Sequence, residues 1–187
     1  MRNLLGVVLL VAVTSAAPVL EAQGEPSKFE LYGGYNYVRF NINANVAGQP
    51  PSQTFNGNGG GGDFMYGVNN WFGVLGDMGG YWATNSARQG AAMPYLFGPR
   101  VSLLHHGKVT PFIQALFGGV LTSSGIEQTG WQSHFAMTAG GGIDVKLSRH
   151  FSIRPVEAEY FLTKLPDGLN NRQNNFRFGA GIVFRFG

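Results

Sequence analysis

The stretch Asn175-Phe176-Arg177-Phe178-Gly179-Ala180-Gly181-Ile182-Val183-Phe184-Arg185-Phe186 divides cleanly by position. Even positions carry Phe176, Phe178, Ala180, Ile182, Phe184 and Phe186; odd positions carry Asn175, Arg177, Gly179, Gly181, Val183 and Arg185. Successive side chains of an extended chain point to opposite faces, so this is a strand with one greasy face and one polar or small face. The same division runs from His134 to Leu147, where Phe135, Met137, Ile143, Val145 and Leu147 oppose His134, Thr138, Gly140, Asp144 and Lys146. Weaker alternation covers 29–40, 62–69, 71–82, 93–104, 109–121 and 153–163, which brings the total to eight strands.

The connections alternate in length. Short turns are expected at Asn69 and Asn70, at His105 to Gly107 and at Ser148 to His150, and long polar loops at 41–61, 84–92, 122–133 and 164–174. The first of these loops, a Gly, Asn, Pro and Gln tract, is read as mobile, and its Gly57, Gly59 and Gly62 as loop glycines. Their G-x-G-x-x-G spacing would signal a dinucleotide only between a strand and a helix, and Pro50 and Pro51 precede it. A propeller repeats at a similar interval but needs four strands per blade, against two here.

Composition narrows the compartment. Of the 187 residues 12% are charged, about half the usual share for soluble proteins, while 15 Phe, 7 Tyr and 3 Trp exclude general disorder. The 13 Lys and Arg are scattered, so no nucleic-acid footprint is expected. With 0 Cys there are no disulfides, thiolate metal sites or cysteine nucleophiles, and no metal or cofactor is expected. Arg2, the apolar run from Leu4 to Val13 and the small residues up to Ala22 make a secretory signal peptide over 1–22, followed by one domain over 23–187.

A closed sheet with one greasy face can hide that face inside or show it to lipid. Gly34, Gly67, Gly79, Gly98, Gly118, Gly140, Gly142, Gly179 and Gly181 occupy the other face, together with a few charges of both signs. Glycine weakens a strand washed by water but makes room inside a narrow barrel. The greasy face sets Tyr35, Tyr37, Tyr66, Trp82, Tyr95, Phe135 and Tyr160 towards the long loops, and Phe29, Phe72, Phe184 and Phe186 towards the short turns. Two aromatic girdles around an apolar band predict an all-β, eight-stranded antiparallel up-and-down transmembrane β-barrel.

The eight strands, the signal peptide and the closing Gly-Ala-Gly-Ile-Val-Phe-Arg-Phe resemble the small bacterial outer-membrane β-barrels of the OmpA/OmpX type over residues 28–187. The segments Phe97-Gly98-Pro99-Arg100-Val101 and Gly141-Gly142-Ile143-Asp144-Val145 are similar to strand patterns of that superfamily. The resemblance implies a bacterial outer-membrane location with both termini periplasmic. It also implies an assembly signal read by the barrel-assembly machinery, matched here by Ala180, Ile182, Phe184 and Phe186, with Gly187 as a departure.

Asp77, Arg100, Glu157, Glu159 and Arg177 are expected to point inward and to pair across the lumen. Arg39, Arg88, Lys164 and Arg172, at the loop side, are candidates for lipopolysaccharide phosphates. His150 and Ser152, with Glu157 and Glu159 downstream, resemble the His-x-Ser of outer-membrane lipid A deacylases. The leading expectation is a non-enzymatic monomer in outer-membrane lipid and lipopolysaccharide, whose loops engage an extracellular ligand that the sequence does not name. A narrow transporter or channel comes second and a lipid A hydrolase third.

Overall fold

The computed structural model describes residues 28–42, 53–85, 88–103, 107–124, 131–166 and 171–187, with backbone alone at 42, 53, 83–85, 88–89 and 124. The expected signal peptide and the residues His105 and His106 lie outside the described residues. Eight strands follow one another: β1 Phe29–Ile42, β2 Gln53–Gly67, β3 Phe72–Asn85, β4 Arg88–Ser102, β5 Val109–Ser124, β6 Gln132–Lys146, β7 Phe151–Thr163 and β8 Gln173–Phe186. Each pairs antiparallel with the next, and β1 pairs with β8, so the sheet closes as the sequence predicts. Closure gives every strand two neighbours and removes the unpaired edge that lipid could not satisfy.

The greasy face is outside. In β8 Phe176, Phe178, Ala180, Ile182, Phe184 and Phe186 are exposed, whereas Asn175 and Arg177 are buried. Leu31, Val74, Met78, Phe97, Ile113 and Phe117 continue this apolar surface around the barrel. Strands of 13 to 16 residues exceed the roughly 9–11 needed to cross a bilayer, so the sheet continues beyond the apolar band.

Three expectations are corrected. The tract read as a loop over 41–61 is strand at both ends, with Ile42 paired to Gln53 and Gly57, Gly59 and Gly62 inside β2. Glycine looks like loop in composition, but in this wall it is what lets neighbours approach: a Cβ at Gly57 would stand 2.8 Å from the Phe40 ring, and one at Gly61 2.5 Å from the Asn36 amide nitrogen. The loops expected at 84–92, 122–133 and 164–174 shrink likewise, because β4 starts at Arg88, β5 runs to Ser124, β6 starts at Gln132 and β8 at Gln173. Tyr66 belongs to the turn-side girdle, since it pairs with Phe29 and their rings lie 5.5 Å apart. At the turn between β4 and β5, Gly107 has φ 104°, a conformation that favours glycine.

In β7 the register shifts between Arg154 and Glu157. Pro155 and Val156 are both exposed, so one extra residue bulges and the inward series passes from the even Ser152 and Arg154 to the odd Glu157 and Glu159. Proline has no amide hydrogen for the ladder and is tolerated at such a bulge.

Ile182 is 57% exposed on the outer face near the middle of β8. Ile182→Arg is therefore expected to destabilise the barrel by about 2–4 kcal/mol if it sits at the bilayer midplane. Unfolding in lipid bilayers by urea measures this, and an unchanged midpoint would place that face out of lipid.

Candidate functional site: the filled lumen

Inward positions of all eight strands meet in one network of charges. Arg154, 0% exposed, is its hub. Its Nε donates to Asp144 Oδ1 at 2.8 Å, and its Nη1 donates to Asp63 Oδ2 and Glu157 Oε2, each at 3.0 Å. Its guanidinium lies 4.3 Å from the Tyr32 ring centre and 4.5 Å from that of Phe112. Those rings fit because glycines face them: a Cβ at Gly181 would stand 2.7 Å from the Tyr32 ring, and one at Gly142 2.8 Å from the Phe112 ring. Arg100 covers the same Phe112 at 4.4 Å. Cation–π contacts of this desolvated kind contribute about 2 kcal/mol or more.

From the hub the network runs both ways. Arg100 Nη2 donates to Asp63 at 2.8 Å and its Nε to Gln114 Oε1 at 2.7 Å. The Gln114 amide nitrogen donates to Glu157 and Glu159, both at 2.7 Å. Arg177 then links Glu159 at 2.5 Å to Asp77 at 2.9 Å and to the Tyr81 hydroxyl at 3.1 Å. Towards the turns Arg185 joins Glu30 at 2.8 Å, Asp144 at 2.9 Å and the Ser152 hydroxyl. Buried charges persist only when paired in this way.

Above the charges, on the loop side, apolar side chains are buried in the bore. Val38, Phe40, Ala92, Leu96, Leu116, Val120, Ala136 and Phe161 form one buried cluster, with Phe40 and Phe161 in edge contact at 6.4 Å. Leu165 folds over it, held by Gln173, whose side chain accepts from the Leu165 amide at 2.8 Å and donates to its carbonyl at 2.9 Å. The charges are thus gathered in the turn-side half of the lumen, where Met65 and Leu75 are also buried, while the loop-side half combines apolar side chains with the buried, uncharged Thr138, Thr163, Gln173 and Asn175. Val38, Leu116 and Phe161 are each 0% exposed.

The structure brings Asp77, Arg100, Glu157, Glu159 and Arg177 together. Sequence reasoning missed Arg154 altogether, because strict alternation backwards from Glu159 and Glu157 sends it outwards. Pro155 inside a strand was the available signal of the bulge. The deacylase-like pair does not assemble, since Ser152 points into the lumen towards Arg185 while His150 stacks on Phe184 with ring centres 6.3 Å apart. Among the loop-side cations, Arg39, Lys164 and Arg172 are exposed, and Lys164 Nζ lies 5.6 Å from the Phe135 ring centre. The Arg88 side chain lies outside the described residues. Ala180, Ile182 and Phe184 sit opposite Tyr35, Gly33 and Leu31 on the seam that closes the barrel, and Phe186 opposite Phe29.

Residues 5–184 match the model of the outer membrane protein beta-barrel domain. The chain belongs to that family. This outer-membrane barrel is similar in backbone to Neisserial surface protein A, with a TM-score of 0.71 at 11% identity over 87% of this chain and 100% of the other. It is also similar to Ail, the attachment invasion locus protein of Yersinia pestis, with a TM-score of 0.52 at 20% identity over 87% of this chain and 100% of the other. At these identities the shared property is the fold. No curated protein matches the chain significantly.

As a protein of the bacterial outer membrane, the barrel has lipid against its outer face. Tyrosines mark the loop-side boundary: Tyr37 donates to Asn56 at 2.8 Å, Tyr35 to Asn58 and Tyr160 to Asn174 at 2.5 Å each, and Tyr95 pairs with Ser133 at 2.7 Å. Each ring lies on the apolar side and each hydroxyl reaches a polar neighbour, as interfacial tyrosines do. On the turn side Phe64, Phe29 and Phe186 stack in a row across β2, β1 and β8, with Phe184 beyond.

Replacing the hub, Arg154→Met, keeps the volume but leaves Asp63, Asp144 and Glu157 short of a cation. The expected cost is about 3–5 kcal/mol, read as an earlier urea midpoint in detergent, whereas Arg39→Met on the outer face should leave the midpoint unmoved. Equal behaviour of the two variants would mean that water, not Arg154, compensates the carboxylates.

Proposed function

We propose that this barrel is a non-conducting, non-enzymatic outer-membrane protein that acts through the surfaces at its two ends. The observation that carries this reading is the filling of the lumen, a charge network joined to every strand beneath a layer of buried uncharged side chains. An eight-stranded bore is just wide enough for its own side chains, and here charged side chains from non-adjacent strands join across it. The barrel is read as a monomer with both termini and the short turns in the periplasm. Its long-loop end faces outwards and carries the contact to an extracellular ligand.

Arg39, Arg88, Lys164 and Arg172 are read as contacts for lipopolysaccharide phosphates. Support comes from the position of Lys164 and Arg172 just above Tyr160 and Phe135, at the level of headgroups. Ala180, Ile182, Phe184 and Phe186 are read as the segment engaged by the barrel-assembly machinery, and their seam position fits a step that closes β8 on β1. Residues 1–22 are read as a signal peptide, so protein isolated from membranes should begin at Gln23.

The filled lumen has an electrical test. Purified protein in planar bilayers should give no steady conductance, and single-channel steps that change on substitution of Arg100 or Glu159 would replace this reading with the narrow transporter.

A further inference from the structure

Lys108 and Lys146 stand side by side at the turn end, where the Lys146 amide donates to the Lys108 carbonyl at 2.7 Å. Both continue the inward series of their strands, Lys108 before Thr110 and Phe112, Lys146 after Asp144. Arg149 lies in the turn that follows β6. All three are exposed, and none forms an ion pair among the described residues. The nearest inward carboxylate, Asp144, is already engaged by Arg154 and Arg185. Like charges directly opposite on neighbouring strands repel, so this corner of the mouth holds exposed cations that have no ion-pair partner among the described residues.

We propose that this corner is an anion-binding surface for the carboxylates of the peptidoglycan wall. The inference rests on the reading that the short turns face the periplasm. Side-chain direction argues against the lipid leaflet as the partner: the outward neighbours at this level are Val145 and the 65% exposed Leu147, which face hydrocarbon, while the lysines belong to the lumen mouth. Valency argues for a polymer. A single exposed ion pair is worth little, and three such contacts become useful only when the partner repeats its charge and the later contacts form at high effective concentration.

The test is co-sedimentation of the detergent-refolded barrel with purified sacculi. Wild type should sediment with them, less at high salt because exposed pairs are screened. The triple variant Lys108→Gln, Lys146→Gln, Arg149→Gln should lose most of that, a drop of about 10-fold, from the loss of three contacts that act together. Its heat-dependent gel shift should be unchanged, which shows that the barrel is closed. Sacculi whose carboxylates have been converted to amides should not retain the wild type. Absence of wild-type sedimentation, an undiminished triple variant, or equal capture by amidated sacculi would each overturn the site. Orientation is read separately: Arg149→Cys, in a chain with no other cysteine, should resist an impermeant maleimide in intact cells and react once the outer membrane is opened. Labelling in intact cells would overturn the orientation and the wall partner with it, whereas protection combined with failed sedimentation would overturn this site alone.

Discussion

The guanidinium of Arg154 is the piece on which the interior depends. It is fully buried, it touches carboxylates from β2, β6 and β7, and it is clamped between rings from β1 and β5. A charge in such a place has no water to fall back on, so its partners are fixed as tightly as it is. Asp63 is the clearest case, because it answers Arg100 and Arg154 at once and thereby ties β4 to β7 across the bore. A network of this sort adds little net free energy compared with hydrocarbon of the same volume. Its effect lies in register: slipping any strand by one residue turns its charge into lipid. In this barrel the interior charges specify how the wall closes, and the outer face supplies the transfer free energy into lipid.

That division explains what could be read from the sequence and what could not. Period-two alternation is unbroken in β8 and β6, so the fold, its compartment and the inward direction of Asp77, Arg100 and Arg177 were all legible. Alternation fails where a residue is inserted. The bulge at Pro155 and Val156 reverses parity, and the most buried cation of the protein disappears from view on the wrong side of it. The misread loops have a different cause. A stretch such as Gly57 to Gly62 has the composition of a loop in any soluble protein, since strands exposed to water are weakened by glycine. In a narrow bore the same residues are needed to receive Phe40 and Asn36 from inside, and composition alone does not report which environment applies.

The two halves of the lumen are not interchangeable. Charges gather at the end reached from the short turns, and uncharged side chains, apolar and polar, fill the end beneath the long loops. Val38, Leu116 and Phe161 offer an ion nothing to exchange for its hydration shell. The network below them fills the bore sterically and presents fixed charges of both signs, a poor route for an apolar molecule.

The ends differ as sharply as the halves. At the loop end, tyrosines paired with asparagines stand below Lys164 and Arg172, so cations and aromatics face outwards and meet the membrane from the side. At the turn end, Lys108 and Lys146 belong to the inner face and meet whatever lies across the mouth. Parity therefore decides where each cation stands as well as the fold: in a strand that crosses a bilayer, an outward cation just beyond the girdle lies at the level of the headgroups, and an inward one at the rim opens on the aqueous compartment. One residue of shift would exchange the two. The interior network that fixes register is, by that route, also what aims the surface charges at either end.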